Sequence, residues 1–453
     1  MELEVLLGER QVGILAQAPG GDFSFTYDAT WVADPERFAL SPYLPLPGEA
    51  DPVRLPRTSS EHSVVVRDFF QNLLPEGKSL DAAAAVAKVS KGSLVGLLAS
   101  LGAECMGALR ILPPGVAAPA TSLRAVTREE LSQRIRERPT LPFSVWDGKV
   151  RLSIPGYQDK VALFVRGEAW FLAEGTLAST HILKPEPVEE IVAGLTSNEF
   201  FCMRLAAACG LDVAPVQLQN LPEPALMVER FDRRAGRARP AGNGNPGEET
   251  VDRVHVMDGC QALGLPVDAK YERLYGSGRD VKHIRDGASL PHFFALLQLS
   301  AQPLAQRQKL LRWAIFQVLI GNTDAHAKNL SFFAGISGVS LAPAYDLVST
   351  FAMNRTVIED NFAMSIGDAF RQEELSPFEW AVMAERCGLP KAQVGQELRR
   401  LAGRINKQLP AVVADCASQG ADQAVLERIR AGIEACANEQ LAIATLIAGV
   451  SLD

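Results

Sequence analysis

The segment Gly321-Asn322-Thr323-Asp324-Ala325-His326-Ala327-Lys328-Asn329 directly follows the apolar stretch 310–320, which has helical spacing. It gathers polar side chains where a helix is expected to end. Asn329 comes five residues after Asp324, and a protein-kinase catalytic loop has its base Asp and its metal-binding Asn at this separation. The spacing predicts a loop for phosphoryl transfer, in which Asp324 accepts the proton of a substrate hydroxyl and Asn329 binds a metal ion.

A second acidic residue is expected on a nearby loop, because kinases hold magnesium with an Asp as well as with the catalytic-loop Asn. Asp346 follows Asn329 by 17 residues, which leaves room for a short hairpin through Phe332, Phe333 and Leu341. No DFG sequence is present. Taken alone, Asp346 would be a helix N-cap or a turn carboxylate. Its position after Asp324 and Asn329 predicts a metal ligand.

Three upstream segments occur in the order of a kinase small lobe. The apolar strand 181–184 ends in Lys184, which could contact the α- and β-phosphates of a nucleotide, with Glu199 as its partner on the next helix. An exposed strand-end lysine is the alternative. The segment 227–232 is expected to form a hinge, where main-chain groups bind adenine and Asp232 reaches the ribose, although a plain linker would look similar.

The phosphates need a cradle, and the sequence has no Walker A motif to supply one. The segment Ser153–Lys160 lies between two predicted strands, and its backbone amides could wrap an anion. Taken alone it is only a β-turn. Downstream, the Arg- and Gly-rich stretch 233–250 is predicted to be a mobile, solvated loop.

Composition sets the wider frame. The chain has 453 residues and a formal charge of −8, which predicts two or three domains with no general attraction to DNA or anionic membranes. Seven cysteines without a CxxC pair, no basic leader and no apolar run of membrane-spanning length predict a reduced, cytoplasmic protein. We expect an α+β, two-lobed protein-kinase-like fold, with a β-rich subdomain that carries helices over 1–115, an α+β small lobe over 120–250 and an all-helical lobe over 251–453.

At these positions the sequence resembles the HipA family of bacterial serine/threonine kinase toxins. The resemblance spans the whole chain and rests on Ser153–Lys160, Thr180–Lys184, Val228–Arg233, and Asn322–Asn329 with Tyr345-Asp346. It implies an ATP- and Mg²⁺-dependent kinase with Asp324 as proton acceptor, Lys184 on the phosphates, Asn329 and Asp346 on the metal, and autophosphorylation at Ser153. With the residues named above, the expected nucleotide site comprises Pro155, Gly156, Tyr157, Gln158, Asp159, Lys160, Lys184, Glu229, Arg230, Phe231, Asp232, His326, Ala327, Lys328, Asn329, Tyr345 and Asp346.

The resemblance also implies partners. The family phosphorylates an aminoacyl-tRNA synthetase, typically the glutamyl enzyme, which causes growth arrest and persistence, and it binds a helix-turn-helix antitoxin of the HipB type. The segment 366–374 lacks the lysine cluster with which some members touch DNA, so DNA contact is expected mainly through the antitoxin. Two alternatives stay open: a small-molecule phosphotransferase, and a non-catalytic co-repressor that acts only through the antitoxin.

Overall fold

The chain folds into two units that each draw on separate parts of the sequence. The structure is a computed structural model that describes residues 1–49, 58–116, 120–151, 158–175, 177–189, 192–235, 250–353 and 360–452. The first unit comprises Met1–Pro185, Gln219–Met257 and Phe333–Ile336. The second comprises Glu186–Leu218, Asp258–Phe332 and Ser337–Asp453.

The strands were expected mainly in the first half of the chain, and most of them lie there. They are β1 (Glu2–Leu7), β2 (Arg10–Gln17), β3 (Phe23–Tyr27), β4 (Leu109–Leu112), β5 (Ser122–Val126), β6 (Val145–Trp146), β7 (Lys149–Val150), β8 (Val161–Arg166), β9 (Ala169–Glu174), β10 (His181–Pro185), β11 (Val216–Asn220), β12 (Pro224–Glu229), β13 (Arg233–Ala235), β14 (Val251–Arg253), β15 (Val256–Asp258), β16 (Ser331–Gly335) and β17 (Gly338–Leu341).

Long helices dominate the second half. The α-helices are α1 (Ala29–Ala33), α2 (Ser59–Gln71), α3 (Gly77–Ala87), α4 (Leu94–Leu101), α5 (Arg128–Glu137), α6 (Leu195–Ala208), α7 (Gly259–Leu263), α8 (Leu290–Leu296), α9 (Pro303–Leu319), α10 (Pro377–Arg386), α11 (Lys391–Ser418) and α12 (Gln423–Ala444). Within the described residues, no helix combines the length and the apolar composition that crossing a bilayer requires.

In the described part of the first unit, the two largest sheets are built by antiparallel pairing. Strands in the order β3-β2-β1-β4 form the N-terminal sheet, and its alternating side chains bury Leu3, Val5, Val12 and Leu15 in one core with residues of α2 and α4. Further along, β12, β10, β8, β9 and β5 neighbour one another in that order. This order places β10, which carries Lys184, in the interior of the sheet between β12 and β8.

The second unit is a helical assembly in which α11 packs against α12, α6 and α9. The last seven residues of α9, Trp313 to Leu319, are all buried, so this end of the helix lies in the core and leads into the polar segment that follows it. A helix surrounded by other helices is stabilised on all faces by apolar burial.

Two predictions about element type were wrong. The range 251–453 is not all helical, because it contains β14–β17; aromatic and β-branched residues such as Phe332 and Val339 favour strands there. The stretch 233–250 does not begin as a solvated loop, since β13 pairs with β14 and the side chain of Arg233 is buried. Arg237 and Arg239 lie outside the described residues.

All seven cysteines are free and buried. Burial raises the pKa of the Cys209 thiol to about 12, so this side chain stays neutral and behaves as a small apolar group.

Candidate active site

The polar segment after α9 forms a buried loop that exposes one side chain. From Trp313 to Phe332 every residue is buried except Asp324. An acidic side chain in such a loop reaches solvent only if the fold holds it there. Asp324 is therefore presented outward by a rigid frame, which is the placement expected of a base that meets an external substrate.

Gly321 makes the turn from α9 into this loop. Its φ is +65°, and a Cβ at this position would lie 2.4 Å from the ring of Phe351. Its carbonyl accepts hydrogen bonds from the main-chain N–H of Thr350, at 3.1 Å, and from the Thr350 hydroxyl, at 2.6 Å. Only glycine satisfies both the left-handed backbone and the close packing.

Asn322 braces the loop from inside. Its Nδ2 donates to Oε1 of Gln317, 2.9 Å away, and its Oδ1 accepts the main-chain N–H of Asp324 at 3.0 Å. A buried amide with both ends engaged fixes its neighbours, because losing either bond would leave a polar group unsatisfied.

Asn329 is tied back to Asp324. Its Nδ2 donates to the main-chain carbonyl of Asp324 at 3.0 Å, and the N–H of His326 donates to the same carbonyl at 2.8 Å. With Nδ2 committed to this bond, the amide oxygen of Asn329 is the atom left to act as a ligand. The five-residue spacing read from the sequence thus closes into one hydrogen-bonded ring.

Asp346 follows β17, on the segment that returns the chain to the loop. The N–H of Ala342 donates to the carbonyl of Ser331 at 2.9 Å. The hydroxyl of Tyr345 donates to the carbonyl of Lys328 at 2.7 Å and lies 2.8 Å from Oγ of Ser331. These contacts bring Tyr345-Asp346 to the residues that flank Asn329.

The backbone of Asp346 is itself unusual. Its φ is +56°, a left-handed conformation that costs a non-glycine residue roughly 1–3 kcal/mol and that clusters at functional sites. No helix begins at Asp346, since the next helical turn starts at Thr350. The alternative that Asp346 is a helix N-cap is therefore wrong.

The donor set formed by Asn329 and Asp346 fits a magnesium ion. Both residues offer hard oxygen atoms, and Mg²⁺ in kinases takes one or two protein oxygens together with phosphate oxygens and water. Among the described residues, no three His, Cys, Asp or Glu side chains gather as they would in an all-protein metal site. The pair suits a metal that arrives with a nucleotide.

Lys328 points its charge into the protein. Its ammonium lies 2.5 Å from Oδ2 of Asp258, and the two side chains are 3% and 1% exposed. Asp258 also caps α7 in a capping box with Gln261. The side chain of Lys328 thus joins the loop to the start of α7, and its main-chain carbonyl bonds Tyr345.

The phosphate-contacting candidates of the first unit lie on and beside β10. Lys184 is buried, with 9% of its surface exposed, so the alternative of an exposed strand-end lysine is wrong. Lys160 is buried to the same degree, and Nε2 of Gln158 donates to the carbonyl of Pro185 at 3.3 Å. Asp159 is half-buried. Four predicted site residues lie outside the described residues: Ser153, Pro155, Gly156 and Tyr157.

The predicted hinge contains a buried ion-pair network. Arg230 bonds both carboxylate oxygens of Asp232, at 2.9 and 2.8 Å. Arg233 and the N–H of Gly107 both donate to Oδ2 of Asp232, each at 2.8 Å. A ribose contact by Asp232 would require these bonds to break. Glu229 is exposed and Phe231 is partly exposed, which leaves the ends of the hinge accessible.

Glu104 completes this network from the N-terminal sheet region. It bonds Arg253 at 2.6 Å and lies 3.5 Å from Arg233. Burial raises the pKa of the Glu104 carboxyl, but Arg253, Arg233 and Arg230 more than offset this effect and hold the pKa at about 2. Arg230 and Arg233 hold the pKa of Asp232 far below its usual range, against the effect of burial. Both carboxylates are therefore ionised at neutral pH.

Sequence reasoning did not assign roles to several residues that build the loop. Asn322 lies inside the quoted segment, but its bond to Gln317 depends on the helix geometry. Asn198 of α6 bonds both main-chain groups of Ser349, each at 2.8 Å. Tyr271 donates to Asp324 from 53 residues away. None of these contacts has a local sequence signal.

The fold and the loop define a kinase, and comparison with known proteins agrees. Over 415 residues the chain is 40% identical to the serine/threonine-protein kinase toxin HipA of Shewanella oneidensis, with 91% of this chain and 89% of that protein covered. It is 34% identical to the putative kinase Y4mE of Sinorhizobium fredii, with 93% and 94% covered.

The domain matches identify the family. The HipA-like C-terminal domain matches residues 152–409, and the HipA N-terminal domain matches residues 3–112. The chain belongs to the HipA family of serine/threonine kinase toxins, as the motifs predicted.

A solved structure supports the same conclusion. In the complex of Shewanella oneidensis HipA with HipB and operator DNA, the matching chain is 37% identical, with a TM-score of 0.84 over 99% of this chain and all of that chain. The mixture of helices and strands expected from the sequence is confirmed.

Proposed function

We propose that this chain is an ATP- and Mg²⁺-dependent serine/threonine protein kinase that uses Asp324 as its base. One observation carries the proposal. Asp324 is the single exposed residue between Trp313 and Phe332, and its main-chain carbonyl accepts a hydrogen bond from Asn329. A rigid loop of this kind supplies positioning, which is the main protein contribution to phosphoryl transfer.

In the proposed reaction, Asp324 accepts the proton of a serine or threonine hydroxyl. The hydroxyl oxygen bonds to the γ-phosphorus of ATP while the bond from that phosphorus to the bridging oxygen of ADP breaks. Magnesium held by Asn329 and Asp346 would neutralise the negative charge of the phosphates. Lys184 contributes a fixed positive charge for the same phosphates, and its burial in an interior strand favours a defined position.

The nucleotide is proposed to bind main-chain groups of Glu229, Arg230 and Phe231. The buried pairing of Arg230 with Asp232 supports a structural role for both side chains, which would hold this segment in place. We propose further nucleotide contacts from residues 155–160, from His326 to Asn329 and from Tyr345.

We extend the proposal to target and partner. The target is an aminoacyl-tRNA synthetase, with the glutamyl enzyme as first candidate, and its modification would arrest growth in the cytoplasm where charging takes place. Likeness to a HipA chain solved with HipB and operator DNA supports a HipB-type antitoxin as partner, with DNA contacted mainly through it. The domain ranges 1–115, 120–250 and 251–453 stay part of this proposal.

Ser153 is proposed as a site of autophosphorylation. A phosphate adds about two negative charges at neutral pH, and at this position it would repel the phosphates of ATP. Modification would therefore inactivate the kinase.

The test is transfer of labelled phosphate. Purified protein is incubated with γ-labelled ATP and Mg²⁺, alone and with glutamyl-tRNA synthetase, beside an Asp324→Asn variant. Because Asp324 is exposed, the variant should fold normally and lose about 10²- to 10⁴-fold in rate.

Each outcome assigns a function. Label on the synthetase that disappears with Asp324→Asn supports the whole proposal, and label on the protein alone supports kinase activity with another target. In parallel incubations with aminoglycosides or sugars in place of the synthetase, label on those compounds would favour a small-molecule phosphotransferase. No label anywhere, from protein verified as unphosphorylated at Ser153, would favour a non-catalytic co-repressor.

A further inference from the structure

The exposed carboxylate of Asp324 has a hydrogen-bond donor from a distant part of the chain. The hydroxyl of Tyr271 lies 2.7 Å from Oδ1 of Asp324, a length typical of a hydroxyl that donates to an ionised carboxylate. Within the described residues no hydrogen bond reaches Oδ2 of Asp324. Oδ1 is therefore engaged by the protein, and Oδ2 is left to interact with a bound substrate.

The main chain at Tyr271 is held in place by close packing. A Cβ on Gly287 would lie 1.9 Å from the carbonyl oxygen of Tyr271, so only glycine fits beside it. The N–H of Gly287 donates to the carbonyl of Glu272 at 3.2 Å, and the N–H of Ala288 donates to that of Ala269 at 2.9 Å. Main-chain hydrogen bonds thus hold both ends of the segment 269–272.

Glu272 anchors the same segment from the other side. Its carboxylate is buried, accepting from the N–H of Ser365 at 2.7 Å and from Nε of Arg285 at 2.6 Å. Its N–H donates to the carbonyl of Ala363, whose own N–H donates to the carbonyl of Thr323, each at 2.9 Å. Two main-chain bonds therefore connect Tyr271-Glu272 to the residue before Asp324.

The ring of Tyr271 also contacts the catalytic loop. It meets the His326 ring edge to face, with the centroids 5.2 Å apart and the planes at 84°. This geometry is favourable for an aromatic pair. The phenol is consequently fixed in direction as well as in position, although 36% of the residue is exposed.

We propose that Tyr271 is a positioning residue for the phosphoryl-transfer reaction. It holds Oδ1 of Asp324, so that the target hydroxyl donates to Oδ2. The inference rests on the proposed role of Asp324 as base. Tyr271 does not itself exchange a proton with the substrate.

The physical need for such a residue follows from the exposure of Asp324. The terminal torsion of an aspartate is soft, and a carboxylate in water rotates among several orientations. A single bond to a fixed phenol selects one orientation of the carboxylate plane. Misplacing a catalytic group by about 1 Å costs up to about 10²-fold in rate.

The experiment compares Tyr271→Phe with Tyr275→Phe in the full-length protein. Both changes remove one hydroxyl from an exposed tyrosine of the same segment, and Tyr275 is 62% exposed. The rate of phosphate transfer to the protein target is measured as kcat and as KM for ATP and for the target. Thermal unfolding checks the fold of each variant, and Asp324→Asn is run in parallel.

For Tyr271→Phe, kcat should fall by about tenfold or more while both KM values stay within twofold and the melting temperature is unchanged. Tyr275→Phe should behave as the wild type. A kcat within twofold of the wild type for Tyr271→Phe, or an equal loss for Tyr275→Phe, would overturn the inference. A loss confined to KM or to the melting temperature would also overturn it, because it would show a merely structural role.

Failure of the proposed function gives a different pattern. In that case the wild type transfers no phosphate, or Asp324→Asn transfers it at the wild-type rate. Failure of this inference alone leaves Asp324 essential and Tyr271 dispensable.

Discussion

The side-chain amide of Asn329 donates to the main-chain carbonyl of Asp324 across 3.0 Å. The candidate metal ligand therefore also holds the backbone of the candidate base. An amide can do both at once, because its nitrogen donates while its oxygen accepts.

Asn329→Asp separates these two tasks. The carboxylate keeps an oxygen for the metal but has no hydrogen to donate, and it faces the carbonyl of Asp324 with an acceptor. We expect kcat to fall by about 10²-fold, with the Mg²⁺ concentration for half-maximal rate changed far less. Steady-state kinase assays at varied Mg²⁺ measure both. Asn329→Ala is the companion variant: it removes both functions, so kcat should fall and the Mg²⁺ concentration for half-maximal rate should rise. A rate within threefold of the wild type for Asn329→Asp would contradict the assignment.

The buried pair of Asp258 and Lys328 gives a second prediction. Lys328→Met leaves the Asp258 carboxylate without its partner at 1% exposure. Breaking a buried ion pair from one side costs about 3–5 kcal/mol, and urea unfolding followed by circular dichroism should show a loss of that size.

A matched control exists on the surface of the same unit. Lys309 pairs with Asp212 at 3.2 Å, where the side chains are 44% and 56% exposed. Lys309→Met should cost less than about 1 kcal/mol. Adding Asp258→Asn to Lys328→Met should recover stability, since asparagine also caps helices well. Equal losses for the two lysine variants would show that the buried pair has no special weight.

The sequence predicted the parts of the site that lie close together in the chain. Asp324 and Asn329 are five residues apart, and the loop between them closes locally, so spacing was sufficient. The hairpin before Asp346 was predicted for the same reason. Tyr271 reaches Asp324 and Asn198 reaches Ser349 through tertiary packing, which local patterns do not encode.

Two charged side chains were expected to be exposed from their local sequence and are buried in the structure. Arg233 was expected in a solvated loop from its Arg- and Gly-rich surroundings, yet its side chain is 1% exposed against Asp232. Lys184, taken alone, suited an exposed strand end, yet it is buried. Composition indicates the average environment of a segment, whereas the ion-pair partner of a particular side chain, such as Glu104 for Arg233, comes from a distant part of the chain.

The network around Glu104 predicts how stability depends on pH. The pKa of Glu104 is about 2 in the folded protein, below its usual value, so the folded state binds the proton less readily than the unfolded chain. This contribution is fully present above the unfolded pKa near 4.5 and is lost as pH falls towards about 2. Asp232, whose pKa is also lowered, adds in the same direction.

Urea unfolding between pH 5 and pH 3 tests this dependence with Glu104→Gln. At pH 7 the variant should lose about 1.5–3 kcal/mol, the range for hydrogen bonds to charged groups, and its stability should fall less steeply with acid than that of the wild type. Glu168→Gln, at an exposed turn between β8 and β9, is the control and should keep the wild-type slope. Parallel slopes for Glu104→Gln and wild type would refute the prediction.

Phe351 allows backbone strain and steric crowding to be separated. Its ring packs between two glycines: a Cβ on Gly321 would lie 2.4 Å from it, and a Cβ on Gly432 would lie 2.5 Å from it. Gly432 lies within α12, where alanine is favoured over glycine by about 1 kcal/mol. Gly321 has φ of +65°, where a side chain costs roughly 1–2 kcal/mol in addition to the clash.

We therefore expect Gly321→Ala to be more destabilising than Gly432→Ala in urea unfolding, by roughly 2–3 kcal/mol. Combining either change with Phe351→Leu relieves the clash, so Gly432→Ala should be rescued while Gly321→Ala keeps its backbone cost. Gly321→Ala should also lower the kinase rate, because Gly321 leads directly into the loop that carries Asp324. Full rescue of both variants by Phe351→Leu would mean that crowding alone, and not the left-handed turn, fixes glycine at position 321.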